Sequence, residues 1–476
     1  MLKLSQDIIV DPVVDGRTLE IAFSQWLDFQ PRYEKLRRYY LGDHDFDPGT
    51  HAEDQNRIVS NHCRYITDVL VGYQYGNEPR YHCEDGDLAG EELIDIMHGQ
   101  DKWSVDIDVG LDLSIYGRTC ELVYNPADKD VPNSTEIDPM HGFVAYTGTV
   151  EKDSVFGVVV YSYTNNNNRV VYRLYVYDTA NFSVWETENA ASSPRTWRLV
   201  EEPVPHGFGR VPLIEYKNNR NALSDFEGII PLQDAYNSLL SDRQDNQDSF
   251  AQAMLVLTGA VMGRTPEEMA DSKKILKKNA ILQLDEDSVA QYLTKQTDEA
   301  GVELIQSRFH DDICRFSMIP DLSDEKFAGN ASGVAMAYKL FGTDQVVSRK
   351  QSQVQKGFTR RCKLYDYRIN NPTMNPSYTP VADIDRMTIT FNLNAPQDIS
   401  YIASALSQLT GGAKILSAET ARTLVSAIPD PKAENELVAA ESKEDAARMR
   451  DTFDYDAVDR LPRRQAEDED AEDSDE

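Results

Sequence analysis

The side chains best suited to ligate a metal or attack a substrate are the eight histidines and five cysteines, and their spacing supports neither chemistry. Cys63, Cys83, Cys120, Cys314 and Cys362 are odd in number and far apart, with no CxxC and no Cys/His cluster at zinc-ligand spacing. The histidines are scattered, without HExxH, and neither GxSxG nor a Cys/His nucleophile signature occurs. Asp and Glu total 80, so some pair must lie close in space, and that alone is no argument for acid–base catalysis. GNASGVAMAYK, with Gly329, Asn330 and Gly333, resembles a phosphate cradle but lacks the GK[ST] ending whose lysine and hydroxyl hold phosphate and magnesium. Turn chemistry before a helix explains it better. These absences imply no metal, no cofactor and no reaction of the chain's own.

Three charged groups remain as binding candidates. Lys273, Lys274, Lys277 and Lys278 form the densest basic patch, either a docking surface for an acidic partner or a solvated helix face. Asp242, Asp245 and Asp248 share one side of a helix at i, i+3 and i+6. They offer an acidic rim, a partner for Arg243 of a neighbouring copy, or simple solubility. Lys326 stands in the loop DLSDEKFAGNASG beside Asp324, Glu325 and Phe327, either a cation for a passing polyanion or a solvated lysine.

The whole chain limits these options. Its 476 residues suit about three domains. Net charge is −32, with 41% hydrophobic and 27% charged residues. That sign disfavours tight general binding of nucleic acid and adhesion to an anionic membrane. Unpaired cysteines fit a reducing cytosol. The N-terminus MLKLSQDIIVDPVVDGR carries charge where a signal peptide needs an apolar run, and the weakly polar stretch 251–263 is too short to span a bilayer.

The elements that must position these groups follow from periodicity. Leu19, Ala22, Phe23, Trp26 and Leu27 recur at helical spacing; Pro31 suits the first turn of a second helix, and Gly42 ends it. Helices are expected over 57–75 and 106–116. CELVYN, FVAYTG, VFGVVVYSY, RVVYRLYVYD and FSVWE then predict a mostly antiparallel sheet, with a turn at Asn165–Asn168. Pro231 opens a helix expected to reach Leu257. Its centre, Ser241–Asp248, has no apolar residue, so it cannot lie in a monomer's core and is expected to pack against copies of itself. Thr265-Pro266-Glu267-Glu268 is a capping box, followed by the strands AILQL and VAQYLTK. A return helix is expected over 298–318, with Val302, Ile305, Phe309, Ile313 and Phe316 on one face. After Pro320 and the loop, a very long helix runs from Ser332 or Gly333 to about Asn371, with Gly342 a candidate kink. YTPVADI and MTITFNL read as extended, then helices recur at 399–409, 418–427 and 432–450. QAEDEDAEDSDE reads as a disordered acidic tail.

In this order and spacing, RYEKLRRYYLGDHD, NRIVSNHCRYITDVLVGYQYGNEPRY, DLSIYGRTCELVY, HGFGRVPLIEYKNN, LSDFEGIIPLQDAYNSLLSD and FAGNASGVAMAYKLFG resemble the portal proteins of tailed bacteriophages, of the siphophage type. The resemblance covers nearly the whole chain and is poorest after 397. It implies an α+β portal-type subunit. The wing is 1–225 and 372–396, the stem helices 226–258 and 297–318, and the clip 259–296. The channel loop is 319–333, the long kinked helix 334–371, the crown 397–462 and the tail 463–476. It implies a ring of copies, twelvefold in the particle, at one vertex of the capsid, assembled in the host cytoplasm. Double-stranded DNA passes through with weak contact. The partners implied are the terminase large-subunit motor, a head-completion adaptor, and the major capsid and scaffolding proteins, with no membrane. The channel-loop residues would be Asp324, Glu325, Lys326, Phe327, Asn330 and Ser332, and the lysine patch would lie on the clip. A head–tail adaptor or other ring component of a virion is the alternative; a hydrolase using an acidic pair is the more distant one.

Overall fold

The computed structural model of the protein describes residues 7–46, 56–127, 131–187, 194–251, 254–258, 265–267, 289–293, 299–322, 333–371, 375, 378–394, 399–410, 416–423 and 431–458. It divides into two units, Met1–Ala395 and Pro396–Glu476.

The first unit opens with strand β1 (Ile8–Ile9) and helix α1 (Gly16–Leu41). Asp15 caps α1 by accepting from Thr18 N at 2.7 Å, and Gly42 closes it in the left-handed region at φ 91°. The expected break at Pro31 does not occur. Proline removes one backbone donor, but Pro31 sits on the exposed side while Trp26, Tyr33 and Leu36 continue one buried stripe past it. Packing on both sides of the proline keeps one helix where two were expected.

Helix α2 (His62–Tyr75) starts later than expected because residues 56–61 stay non-helical up to the cap Asn61. Strand β2 (Arg80–His82) and helix α3 (Leu88–His98) follow, both unforeseen, and then α4 (Lys102–Tyr116). The strands after it are β3 (Arg118–Tyr124), β4 (Asn133–Ile137), β5 (Gly142–Tyr146), β6 (Ser154–Thr164), β7 (Val170–Tyr177), β8 (Asn181–Thr187), β9 (Trp197–Pro205) and β10 (Leu213–Lys217). One sheet has six strands in the order β1-β5-β6-β7-β8-β9, antiparallel except for β1 on β5. A second, antiparallel sheet has the order β10-β3-β4. The amino-terminal half of α1 buries Leu19, Phe23 and Trp26 against Val158, Val160 and Leu174 of the larger sheet. Between the two sheets lie Cys120, Val144, Val159 and Leu213.

Helix α5 (Ile230–Ala251) leaves this body, and strand β11 (Met254–Thr258) pairs antiparallel with β12 (Val289–Leu293). Met254 and Leu257 were expected to end the helix; the run MLVLT is instead extended, with Leu255 opposite Tyr292. Its β-branched and apolar residues suit a ladder, and the partner VAQYL supplies one. Helix α6 (Glu299–Ser317) returns, and α7 (Gly333–Asn370) runs 38 residues, about 57 Å at 1.5 Å per residue. Strand β13 (Thr388–Thr390) pairs with β2, while 378–384 contains no strand. The core of this region joins Tyr75, Val109, Leu113, Phe358, Cys362 and Tyr365.

The second unit contains α8 (Ile399–Thr410), α9 (Ala418–Thr423) and α10 (Pro431–Val458). Ser417 caps α9 by accepting from Thr420 N at 3.0 Å. Among the described residues, no helix is long and apolar enough to cross a membrane.

Candidate functional site: the helix pair and its seat

The turn that launches α5 is built from polar groups the chain must satisfy internally. Gly117 ends α4 at φ 83°, and a Cβ there would lie 2.2 Å from Ala222 O, so only glycine permits the approach. Arg32, on α1, donates to Tyr116 O at 3.1 Å and Ala222 O at 3.0 Å, and grips Glu227 through Nε at 2.8 Å and Nη2 at 2.6 Å. Asp225 accepts from Asn218 Nδ2 at 2.7 Å and from Lys350 Nζ at 2.6 Å, with both charged side chains buried. One guanidinium and one ammonium therefore tie the root of α5 to α1, α4 and α7. A charge paired this way out of water holds geometry more firmly than it adds stability.

The next turns of α5 carry a polar stripe, Gln233, Asn237 and Ser241, each essentially inaccessible to solvent. Its partner is the non-helical segment 56–61 together with His62, the first residue of α2. Gln233 Oε1 accepts from His62 N at 3.2 Å, and Gln233 Nε2 donates to Ser60 O at 2.6 Å. Asn237 Oδ1 accepts from Ser60 N at 3.0 Å, and Ser241 Oγ from Ile58 N at 3.0 Å. Asp245 accepts from Asn56 N at 2.9 Å, and Asp248 from Asn56 Nδ2 at 2.6 Å. Side chains four residues apart stand on one helix face, so the row supplies partners to a backbone that no strand completes. His44, stacked on Tyr39, meets Asn237 Nδ2 through Nδ1 at 2.8 Å, and burial pushes its imidazole below the usual histidine range.

Helix α6 packs back along α5. Arg243 Nη1 donates to Gln306 Oε1 at 2.9 Å and its other nitrogen lies 3.6 Å from Glu299. Ile313 is buried and Phe309 packs on the same cluster, but Ile305 and Phe316, expected on that apolar face, are exposed in the single chain at 49% and 64%. At the foot of α6, Met318 adopts φ 58° and its carbonyl accepts from Thr343 Oγ1 at 2.9 Å. Tyr65 Oη then donates to Pro320 O at 3.2 Å and accepts from Leu322 N at 3.0 Å.

Farther along α7, Arg361 is 1% exposed. It donates to Asp106 Oδ1 at 2.7 Å and to Glu121 Oε2 at 3.1 Å. Tyr81 and Tyr216 donate to the same carboxylates at 2.5 and 2.6 Å. Burial pushes the Glu121 carboxyl up, but Arg361, with Ser134, Tyr216 and Lys102, outweighs it and holds the group below its usual range. The long helix is thus fixed to α4 and the sheet β10-β3-β4 by charge as well as by Phe358 and Cys362.

The model of one family, phage portal protein of the SPP1 Gp6-like type, matches residues 20–448. The chain belongs to that family. The portal protein of Bacillus phage SPP1 is 25% identical over 302 residues, 61% of this chain and 58% of that protein, so the match spans less than two thirds of the relative's length. Among solved structures, the neck of a native gene transfer agent particle computed with C12 symmetry is similar with a TM-score of 0.43, at 12% identity over 82% of this chain and 92% of that one. The neck of an empty particle computed with C6 symmetry gives 0.42, at 12% identity over 76% and 88%.

In this portal-family chain the candidate residues from the sequence fare differently. Asp324, Glu325, Lys326, Phe327, Asn330 and Ser332, and the patch Lys273, Lys274, Lys277 and Lys278, lie outside the described residues. Of the acidic face, Asp242 is exposed, whereas Asp245 and Asp248 hold Asn56 of their own chain. Ser241, expected in a segment excluded from the monomer's core, is fully buried there, because residues 56–62 supply the polar partners that an apolar core would not. Arg243 likewise has partners within the chain. Arg32, Asp225, Lys350, Arg361 and Tyr65 were not singled out from the sequence; Arg32–Glu227, Asp225–Lys350, Arg361–Asp106 and Tyr65–Pro320 are separated by 195, 125, 255 and 255 residues, and only the four-residue spacing of Gln233, Asn237 and Ser241 was a readable signal.

Proposed function

We propose that the chain is one subunit of a portal ring at a capsid vertex, a conduit through which double-stranded DNA enters during packaging and leaves on ejection. The observation that carries this is the family match across residues 20–448. On this reading α5 and α6 are the stem, the strand pair β11/β12 belongs to the stem–clip boundary, α7 is the long helix beside the channel, and 319–333 is the channel loop. The buried seat around Arg32, Asp225 and Lys350 keeps the stem at a fixed angle while copies pack side by side. Ile305 and Phe316 would be covered by the neighbouring copy, since exposed apolar side chains of this size on one helix mark contact surfaces when they gather. The ring must be cyclic and head-to-tail, because only such contacts close into a tube.

A net charge of −32 suits a conduit. Each phosphate neutralised by lysine or arginine adds salt-dependent affinity, and a bore lined with cations would brake sliding. Lys326, with Asp324 and Glu325 beside it, would touch DNA fleetingly. The patch Lys273, Lys274, Lys277 and Lys278 would take an acidic surface of the packaging motor, and later of a head-completion adaptor. Capsid and scaffolding proteins would hold the ring's outside, and the chain would perform no reaction itself. End-on negative-stain images of the purified protein test this reading: closed rings, twelvefold in the particle, are expected. A stable monomer at micromolar concentration refutes it.

A further inference from the structure

Where α2, α5, α6 and the exit toward 323 converge, two histidines meet. The rings of His62 and His310 lie 5.5 Å apart at 64°. His62 is the first residue of α2, half-buried in the chain, with Tyr236 edge-on at 5.0 Å. Its tautomer can be assigned from its neighbours. Gln233 Nε2 donates to Ser60 O and to Asn237 Oδ1, at 2.6 and 2.9 Å, so Gln233 Oε1 must face His62. That oxygen accepts from His62 N at 3.2 Å and stands 3.0 Å from Nδ1, which therefore carries the proton. A second proton has to go to Nε2.

Charging His62 in this position is opposed three times. The ring is desolvated, it sits at the positive end of a helix, and it faces His310. Burial pushes its imidazole below the usual histidine range, and His310 adds to this, against the pull of Gln233, the 60–62 turn and Asp321. His310 has carboxylates to meet its own charge: Asp321 Oδ2 is 3.6 Å from Nε2 and Asp311 Oδ1 is 4.0 Å from Nδ1. The other groups packed here carry no charge toward His62. Gln233 and Tyr236 come from α5, Asp234 turns to Tyr39 Oη at 2.9 Å, and Tyr65 is occupied by Pro320 and Leu322.

We infer that His62 and His310 form an acid-sensitive latch that joins the start of α2 to both helices of the pair and to residues 318–322. Above the histidine range His62 is neutral and the latch is closed. As pH falls below about 6.5, the ordinary histidine value, the unfolded or opened segment binds a proton that the closed one resists. Closure loses stability in that direction. Two imidazolium rings at this separation repel each other, and the root held by Tyr65 and Asp321 loosens with α6. This inference rests on the single chain's geometry and is independent of the DNA-conduit reading.

Hydrogen exchange of the full-length protein, read by mass spectrometry at pH 7.5 and 5.0 and corrected for intrinsic rates, tests the latch. Peptides spanning 58–66 and 306–322 should lose protection about tenfold or more at pH 5.0, while peptides from β7 and β8 keep theirs. His62→Gln should remove most of that pH dependence, because glutamine can still bond to Gln233 but cannot charge. His310→Gln should reduce it by removing the repelling partner, and serves if the first variant folds poorly. Equal protection at the two pH values in the natural protein, the same loss in both variants, or parallel loss in β7 and β8 would overturn the proposal.

Discussion

Replacing Arg361 with methionine isolates what the buried charges do for the long helix. The substitution keeps an unbranched apolar stem and deletes the guanidinium that bridges Asp106 and Glu121. Both carboxylates then remain in the core, 3% and 0% exposed, with Ser134, Tyr81, Tyr216 and Lys102 nearby to answer them. A single ion pair at contact distance is worth about 4 kcal/mol at an effective dielectric of about 20, and removing one member of a buried pair costs about 3–5 kcal/mol. Arg361→Met should therefore lower the unfolding free energy by about 3–5 kcal/mol in urea titration of the full chain at pH 7.5. The deficit should shrink toward pH 4.5. In the natural protein Glu121 is held below its ordinary range, so its stabilisation is present above about pH 4.5 and fades as pH falls. In the variant the orphaned carboxyls take up protons and recover stability in the same direction. A second variant, Arg361→Met with Asp106→Asn and Glu121→Gln, should return to within about 2 kcal/mol of the natural chain, because neutral groups need no counterion. A loss below about 1 kcal/mol for the single substitution, or no recovery in the triple one, would show that α7 is held by apolar packing alone.

Asp112 and Glu136 are a half-buried carboxyl pair at Thr119, whose Oγ1 lies 3.1 and 3.0 Å from them, and desolvation first, then the hydrogen bond with Glu136 and repulsion from it, raises the Asp112 carboxyl well above its ordinary range. The fold keeps a proton that the unfolded chain releases above about pH 4, so stability falls as pH rises, and Asp112→Asn should flatten that slope and raise the melting temperature at pH 8; an unchanged slope refutes the shared proton. Cys63, Cys120 and Cys362 are buried with thiols pushed up by desolvation, the last to about 12, whereas Cys83 and Cys314 are half-buried. A thiol reagent should therefore modify at most two cysteines quickly in the native protein, and three fast-reacting thiols would contradict the packing. Lys326→Ala should leave rings intact but shorten the DNA packaged or retained, with Lys326→Glu worse; full-length packaging at normal rate by either variant removes Lys326 from the mechanism.

The sheet was legible because its strands alternate: VVYRLYVY places Leu174 and Val176 on one face and Arg173, Tyr175 and Tyr177 on the other. Strands β4 and β9 were not, since NSTEI and WRLVEEPVP carry too many polar residues to announce burial. Helix α3 was missed although LAGEELIDIMH is largely apolar, with Leu93 and Met97 buried and Ile94 and Ile96 packed on the same core. Arg32, Lys350 and Arg361 were beyond reach on other grounds. A single sequence records that a cation exists, not which of 80 acids it will meet.

The stripe on α5 holds the more general lesson. Gln233, Asn237, Ser241 and Asp245 recur every four residues, the period of a buried helix face. Periodicity of that kind means the face is covered. It does not say by what. An apolar stripe must be covered by apolar surface, which a compact chain usually has to spare, so burial within the monomer follows. A polar stripe needs unpaired donors and acceptors instead, and two sources offer them: another copy of the helix, or a stretch of backbone outside any ladder. The absence of apolar residues over 241–248 points to the first. The second was present in NRIVSNH, where Ser60 and Asn61 favour local bonding over continuation of a helix, and α2 begins only at His62. The backbone N–H groups of Asn56, Ile58, Ser60 and His62 meet Asp245, Ser241, Asn237 and Gln233 of the stripe in turn. In the proposed ring, contact between copies would then use exposed side chains such as Asp242, Ile305 and Phe316, not the covered face that carries Ser241.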